Sequence, residues 1–309
     1  MPFGPEDFGG LPAGLAGQVY DGGELPGDPG EVELYVLPYT FAQATLSVMA
    51  RMPRLQLVQT LTAGYEHVLG HLPDGVTLCN ARGLHDTATA ELALALTLAA
   101  QNELAHFLAA VRQGQWSPRW RRGLAEASVL LVGYGSIGQA IARRLEPFEC
   151  TVVPVARHAR EGVAGWEELP ELLPRADIVI LIVPSTPETV GMVDAEFLAR
   201  MRDDALLVNV ARGVIVDTDA LVAELRTGRL RAALDVTDPE PLPPGHPLWD
   251  APGVLLSPHV GGMSQAFLPR ALRMTREVLE RFAAGQPPVN VVVPGRPAGA
   301  PSSAAPSSC

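Results

Sequence analysis

The chain has 309 residues, 47% hydrophobic and 18% charged, and its 23 basic and 34 acidic side chains give a net charge of −11. This length suffices for two domains, and the negative charge disfavours nucleic acid as a partner. All 23 basic residues are arginine, which excludes catalysis by a lysine. Three scattered cysteines indicate neither a disulfide framework nor a zinc site, so we expect no metal. Without a signal peptide or membrane span, a cytoplasmic protein is expected.

The N-terminal third alternates short apolar runs with helical segments. Residues 1–30 contain nine glycines and five prolines, which predicts irregular structure or short strand fragments. The strands predicted next are Val32–Leu37, Leu55–Thr60 and Val76–Cys79. A helix is expected near Phe41–Arg51. The Ala/Leu-rich stretch from Thr89 to about Val111 predicts one long, mostly buried helix.

From residue 127 onward, continuous apolar runs are typical of strands buried on both faces of a parallel sheet. The runs are Ser128–Val132, Thr151–Val155, Ile178–Val183, Leu206–Val210, Ala232–Val236 and Val254–Leu256. The helical segments between them are Gly138–Leu145, Glu167–Leu173, Glu196–Met201 and Thr218–Thr227. This alternation predicts a doubly wound α/β domain. A helix near Phe267–Ala284 follows, and the Pro/Ser/Ala-rich tail 298–309 is expected to be disordered.

The segment Ser128–Gly138 places an apolar strand directly before a Gly-x-Gly-x-x-Gly turn that leads into a helix. In such a turn Gly133 makes the tight bend, Gly135 lets the backbone approach a pyrophosphate, and Gly138 lets helix and strand pack closely. This context indicates a dinucleotide-binding loop, although a plain glycine turn is the alternative. The predicted cofactor-binding residues of the loop are Gly133, Tyr134, Gly135, Ser136, Ile137 and Gly138.

The end of the second strand of this unit bears on the choice between NAD and NADP. An NAD-preferring site carries an acidic residue there, which binds the ribose 2′-hydroxyl. Here the sequence after Val155 is Ala-Arg-His-Ala-Arg, without an acid. Arginine pairs well with a 2′-phosphate, so NADP is favoured over NAD, with Arg157 as the first candidate and Arg160 as the second. Solvated surface arginines are the alternative interpretation.

Three further segments follow predicted strands, where open α/β sheets place their ligands. They are Val208–Gly213, Leu234–Pro241 and Ser257–Gly262, and they contain Arg212, Glu240 and His259. These side-chain types suit the reduction of a 2-oxo acid. Arginine clamps a carboxylate with two hydrogen bonds, histidine exchanges a proton near neutrality, and a glutamate on the other ring nitrogen orients the imidazole.

In this order the motifs resemble the D-isomer-specific 2-hydroxyacid dehydrogenase family, which includes glyoxylate/hydroxypyruvate reductases. The resemblance extends from about Leu55 to Pro294. It rests on the glycine loop, the three segments above, and the stretches Gln59–Tyr65 and Leu181–Thr189.

The resemblance implies a role for each matching residue. Arg212 would bind the substrate carboxylate, and His259, paired with Glu240, would be the general acid in reduction and the base in oxidation. Ala63 and Gly64 would be backbone donors to the substrate. The cofactor contacts beyond the glycine loop would be Val183, Pro184, Thr189, Val210, Gly261 and, at the nicotinamide carboxamide, Asp235.

The expected architecture is two α/β domains with a cleft between them. A Rossmann-type, doubly wound parallel sheet would occupy residues 91–262, and a smaller flavodoxin-like substrate domain would combine residues 1–90 and 263–297. Residues 1–30 lack the clean opening strand usual in the family, so the outer part of the substrate domain is expected to be shortened or rebuilt. The family also implies a homodimer formed through the cofactor domain.

The expected reaction is hydride transfer between NAD(P)H and a small 2-oxo acid, preferably glyoxylate or hydroxypyruvate. Two other functions stay open. Proteins of this fold also act as dinucleotide-sensing binding modules that recruit partners, and a dehydrogenase with the same arginine and histidine could act on a substrate such as phosphite. Packing or interface roles are the interpretation of Trp116, Trp120, Trp166 and Trp249, and a role in the substrate pocket stays open for one of the first two.

Overall fold

The computed structural model describes residues 1–40 and 42–295, and the predicted tail 298–309 lies outside this range. The chain forms two compact units, one made of Met1–Leu84 with the chain from Leu268 onward, the other of His85–Phe267. The strands of the described residues are β1 Leu34–Val36, β2 Leu57–Gln59, β3 Thr77–Cys79, β4 Ser128–Val132, β5 Thr151–Ala156, β6 Ala164–Gly165, β7 Ile178–Leu181, β8 Leu206–Asn209, β9 Arg231–Leu234, β10 Val254–Leu256 and β11 Val291–Val293. The α-helices are α1 Gln43–Ser47, α2 Glu66–Leu69, α3 Asp86–Gln101, α4 Leu104–Arg112, α5 Ser136–Leu145, α6 Leu169–Leu172, α7 Ala195–Arg200, α8 Thr218–Thr227 and α9 Phe267–Ala283.

The unit that contains both ends of the chain is built on a four-stranded sheet in the order β1-β2-β3-β11. The first three strands are parallel, and β11 is antiparallel to β3, with Val291 opposite Cys79. The segment before β1 forms two short 3₁₀ helices, Pro5–Phe8 and Pro29–Glu31. Within the described residues no strand precedes β1 along the chain. The strand order places β1 at one edge of the sheet.

The other unit has a seven-stranded sheet in the order β10-β9-β8-β7-β4-β5-β6, with every neighbouring pair parallel. Successive residues of β4 point to opposite faces, since Leu130 and Val132 join one core cluster and Val129 and Leu131 join the other. Helices α3 and α5 cover the second cluster, and α6, α7 and α8 cover the first. Both faces are thus buried, which confirms the predicted doubly wound parallel sheet.

The single long helix predicted from Thr89 to Val111 is wrong in one respect, because the chain breaks after Gln101 into α3 and α4, bent by 63°. At the break Glu103 adopts a left-handed conformation with φ 57°. Its carboxylate pairs with Arg119 and Arg122. These partners come from a later segment of the chain, so tertiary contacts oppose the local helix propensity.

No single helix of the described residues is long and apolar enough to cross a membrane. The bent pair α3 and α4 passes that test only when the two are taken together, by length and composition. Residues of α3 such as Ala90 and Ala93 are buried in the core cluster on one face of the parallel sheet. A core helix has the same composition.

Candidate active site

The carboxyl ends of five neighbouring strands form one row at an edge of the seven-stranded sheet. The strand pairing places Val132, Leu181, Asn209, Leu234 and Leu256 side by side in this row. The strand order reverses at β4, since β5 and β6 lie on one side of it and β7 to β10 on the other. Open α/β sheets bind their ligands at such a reversal. The segments predicted to carry the chemistry all leave from this row.

The glycine loop after β4 fits a dinucleotide in its local geometry. Gly133 has φ 111°, and a Cβ atom there would lie 2.3 Å from the carbonyl oxygen of Ile182. A Cβ on Gly138 would lie 2.2 Å from the carbonyl oxygen of Gly133. In contrast, a Cβ on Gly135 would meet nothing within 4 Å, so the backbone faces open space there. Helix α5 begins immediately after this opening without a side-chain cap, which leaves its amide groups available to a pyrophosphate.

The other predicted loop residues lie around this opening. Ser136 is the first residue of α5, and its hydroxyl donates to Asp86 Oδ1 at 3.2 Å. Tyr134 and Ile137 pack partly buried against the core cluster beneath α3 and α5. The loop is therefore held from below by apolar contacts while Gly135 stays open above.

Two arginines follow β5 and have different partners. Arg160 lies over the ring of Tyr134, with its guanidinium carbon 5.9 Å from the ring centroid, and its Nη2 donates to the Tyr134 carbonyl at 3.2 Å. Arg157 pairs instead with Glu188, which lies in the segment after β7. Strand β5, which ends directly before Arg157, contains no acid. Arg157 therefore has a carboxylate partner on another segment, whereas Arg160 contacts Tyr134.

The segment after β7 forms a compact turn closed by Thr189. Its hydroxyl accepts a hydrogen bond from the Thr186 amide at 2.8 Å and donates to the Pro184 carbonyl at 2.7 Å. Thr189 was predicted to contact the cofactor. In the structure its side chain is fully buried and joins two backbone groups of its own turn. Val183 is buried at the start of the turn, next to Gly133.

Arg212 follows β8 on a turn that Asn209 organises. Asn209 is 1% exposed; its Oδ1 accepts from the Ala211 amide at 3.0 Å, and its Nδ2 donates to the Arg212 carbonyl at 3.0 Å. The guanidinium of Arg212 donates to the Ala211 carbonyl at 2.6 Å. A Cβ on Gly213 would lie 1.9 Å from the Thr237 carbonyl oxygen, so only glycine fits at that position. The turn thus fixes the base of the arginine side chain.

His259 and Glu240 are in direct contact, as the sequence interpretation required. His259 Nδ1 and Glu240 Oε1 are 2.5 Å apart. His259 itself has φ 53°, a left-handed conformation that is uncommon for residues with a side chain. The contact places Nδ1 against the carboxylate.

Asp235, the first residue after β9, holds the loop that carries His259. Its Oδ1 accepts from the hydroxyl of Ser257 at 2.6 Å and the amide of Val260 at 2.9 Å, while its Oδ2 accepts from the amide of Gly261 at 2.9 Å. Its backbone carbonyl accepts from the His259 amide at 2.7 Å. Asp235 is 3% exposed. The carboxylate therefore positions this loop, and one lone pair on Oδ2 is left for a further donor.

Ala63 and Gly64 lie in the other unit, on the half-buried loop after β2. The carbonyl groups of this loop are bonded within the unit: Asn80 Nδ2 donates to the Ala63 carbonyl at 2.8 Å, and the hydroxyl of Thr62 donates to the Gly64 carbonyl at 2.6 Å. The loop is therefore a defined turn and not a loose connection.

Three polar residues contribute to these turns and were not singled out from the sequence: Asn80, Glu188 and Asn209. Asn209 stands in the segment chosen for Arg212, and an asparagine at a strand end followed by a turn is a recognisable signal. Asn80 likewise follows β3. Glu188 could not be found in this way, because its importance depends on Arg157, 31 residues earlier.

Comparison with known proteins gives a consistent result. The family described as D-isomer specific 2-hydroxyacid dehydrogenase, NAD binding domain, matches residues 94–261. The glyoxylate reductase/hydroxypyruvate reductase of Homo sapiens is 33% identical over 253 residues, which is 74% of this chain and 72% of that protein.

Two solved structures are similar over most of the chain. A D-isomer specific 2-hydroxyacid dehydrogenase from Xanthobacter autotrophicus Py2, in complex with NADPH and MES, is 35% identical, with a TM-score of 0.76 over 91% of this chain and 92% of that chain. An NADPH-dependent glyoxylate/hydroxypyruvate reductase from Sinorhizobium meliloti, in complex with NADP and sulfate, is 28% identical, with a TM-score of 0.75 over 85% of each chain.

Proposed function

The chain belongs to the D-isomer-specific 2-hydroxyacid dehydrogenase family, and from this premise we propose that it reduces glyoxylate or hydroxypyruvate to the hydroxy acid with NADPH. As a member of that family it is an NAD(P)-dependent oxidoreductase of 2-oxo and 2-hydroxy acids. The observation that carries the proposal is the pair of His259 and Glu240, 2.5 Å apart on the sheet edge that also carries Arg212 and the glycine loop.

A reduced nicotinamide, when bound, would supply the hydride, and the protein supplies charge and a proton. The guanidinium of Arg212 binds the carboxylate of the 2-oxo acid through two parallel hydrogen bonds and polarises its carbonyl. Protonated His259 gives the proton on Nε2 to the carbonyl oxygen as that oxygen becomes an alcohol. Glu240 stabilises the imidazolium through Nδ1 and holds the ring in place. In oxidation, neutral His259 takes the proton back.

The substrate's remaining contacts are assigned to backbone groups. Because the carbonyls of the loop after β2 are bonded internally, the amides of Ala63 and Gly64 are the groups that the loop can offer to a carboxylate. Asp235 keeps His259 in place through its loop and retains one acceptor site for the nicotinamide carboxamide. Val210 and Gly261, which follow β8 and β10, would contact the cofactor.

The choice of NADP rests on the two arginines after β5. A carboxylate in this place would repel a 2′-phosphate, whereas Arg157 and Arg160 attract it. Relatives that are named or crystallised with NADPH support this assignment. NADP is therefore the proposed cofactor.

A homodimer is proposed on an exposed apolar surface of the unit His85–Phe267. Helix α4 exposes Leu108 and Val111, and the segment that follows exposes Trp116 and Trp120 by 97% and 99%. Exposed aromatic residues of this kind mark protein–protein interfaces. The ion pairs of Glu103 with arginines 119 and 122 fix the far end of this segment. A second copy of the chain is the proposed partner.

The initial rate of NADPH and NADH oxidation with glyoxylate, hydroxypyruvate, pyruvate and phenylpyruvate tests the proposal. We expect turnover, fastest with glyoxylate and hydroxypyruvate and with NADPH. Tight NADPH binding without turnover of any 2-oxo acid would contradict the proposed reaction and indicate a dinucleotide sensor. Reduction of NADP+ or NAD+ by phosphite, with no turnover of any 2-oxo acid, would instead assign the chain to another substrate class.

A further inference from the structure

Glu188 forms an exposed ion pair with Arg157 that links the segments after β5 and β7. Arg157 Nη2 donates to Glu188 Oε1 at 3.0 Å, and the two side chains are 56% and 48% exposed. A hydrogen bond from Thr186, a backbone hydrogen bond and the Arg157 charge lower the pKa of Glu188. Its carboxylate is therefore ionised at neutral pH.

The turn beneath Glu188 fixes its position. Its neighbour Thr189 is fully buried, and the hydroxyl of Thr189 closes the turn through the Thr186 amide and the Pro184 carbonyl. The backbone at residue 188 is consequently held by internal hydrogen bonds, and the carboxylate stays within reach of Arg157. Arg160 does not share this partner, because it is bonded to the Tyr134 carbonyl.

A 2′-phosphate carries a charge of about −1.5 to −2 at pH 7. Bound at Arg157, it would compete with the Glu188 carboxylate for the same guanidinium, and the two anions would repel each other. NAD has an uncharged hydroxyl group in place of the phosphate, so the charge of Glu188 has little effect on the affinity for NAD. The ion pair between Glu188 and Arg157 therefore affects the affinity for NADP and not that for NAD.

We propose that Glu188 determines cofactor specificity by opposing the binding of the 2′-phosphate. In the cofactor-free protein its carboxylate is paired with Arg157, and this ion pair breaks when NADP binds. The inference rests on the proposed use of NADP. Glu188 lowers the affinity for NADPH and leaves that for NADH unchanged, so it limits the preference that the two arginines create.

The test is the variant Glu188→Gln, which keeps the size of the side chain and removes its charge. Dissociation constants for NADPH and NADH are measured with the full chain by isothermal titration calorimetry, without substrate. We expect NADPH to bind about 1.5- to fivefold more tightly, the range expected for an exposed ion pair, and NADH to bind as before. The gain should shrink in high salt. Glu196→Gln is the matched control, since Glu196 forms an exposed pair with Arg200 on α7 at 2.7 Å.

Arg157→Ala and the double variant separate the possible failures. The gain from Glu188→Gln should disappear when Arg157 is absent. If Arg157→Ala weakens NADPH selectively while Glu188→Gln leaves NADPH unchanged or weakens it, the role of Glu188 is overturned and the proposed cofactor stands. If Arg157→Ala weakens NADPH and NADH equally, the proposed role of Arg157 fails, and the inference fails with it.

Discussion

Replacing Asp235 by asparagine is expected to release the loop that carries His259. The substitution keeps the shape of the side chain but replaces one acceptor oxygen by a donor. If the new amide group takes the place of Oδ2, it meets the Gly261 amide; if it takes the place of Oδ1, it meets the Val260 amide, each now bonded at 2.9 Å. In both orientations a loop N–H loses its acceptor.

The size of the effect follows from these bonds. A buried donor without an acceptor costs about 1–3 kcal/mol, and loss of the carboxylate charge weakens the bonds that remain. Asp235→Asn should therefore lower the free energy of unfolding by about 2–4 kcal/mol. Because His259 depends on this loop for its left-handed backbone, kcat should fall as well, by about 10²-fold for a displacement of about 1 Å.

Urea unfolding followed by circular dichroism measures the first effect, and NADPH oxidation with glyoxylate measures the second. Asp219→Asn is the control, because Asp219 is exposed in the first turn of α8. A stability change below about 1 kcal/mol together with normal kcat would refute the positioning role. Weaker NADPH binding with unchanged stability and kcat would instead make Asp235 only the anchor of the carboxamide.

Three further predictions concern other parts of the chain. His259→Ala should lower kcat about 10²–10⁴-fold and leave the NADPH dissociation constant unchanged; near-normal turnover would refute its proton-transfer role. The double variant Trp116→Ala/Trp120→Ala should dissociate the proposed dimer in sedimentation equilibrium, whereas a monomeric parent protein would contradict the interface. Burial raises the pKa of the Cys79 thiol from 9.0 to about 11. The unfolded chain therefore loses this proton at a lower pH than the folded chain, and the free energy of unfolding falls between pH 9 and 11. By pH 10 the loss is about 1.4 kcal/mol, and Cys79→Ala should remove this part of the pH dependence of urea unfolding; equal slopes would contradict it.

The sequence predicted the parallel sheet well, because its central strands β4, β7, β8 and β9 are almost entirely buried. Ser128–Val132 and Val254–Leu256 begin and end where they were expected, since continuous apolar runs bounded by turn residues leave little choice. The two-residue strand β6 was missed because Ala-Gly has no strand signal. Strand β11 was missed although Val291–Val293 is a β-branched run, and its partner β3 lies more than 200 residues earlier.

The helix break at Glu103 could not be predicted from local sequence. No glycine or proline interrupts residues 89–111, and the bend depends on arginines that come later in the chain. In the candidate site, too, contacts between residues far apart in the chain could not be predicted. Motif order brought His259 and Glu240 together correctly, whereas the internal bonds of Thr189 and the pairing of Arg157 with Glu188 depend on distances that a sequence does not contain.

The antiparallel strand β11 has a consequence for how the chain folds during synthesis. The edge of β3 that it covers, at Cys79, has no partner in this sheet until Val291–Val293 leave the ribosome. At about 5–20 residues per second, the interval between these two strands lasts roughly 10–40 s. The sequence between them contains the whole unit His85–Phe267, which is complete by then. This unit can therefore fold before the sheet of the N-terminal strands is complete, and that sheet keeps an open edge until the end of the chain is synthesised.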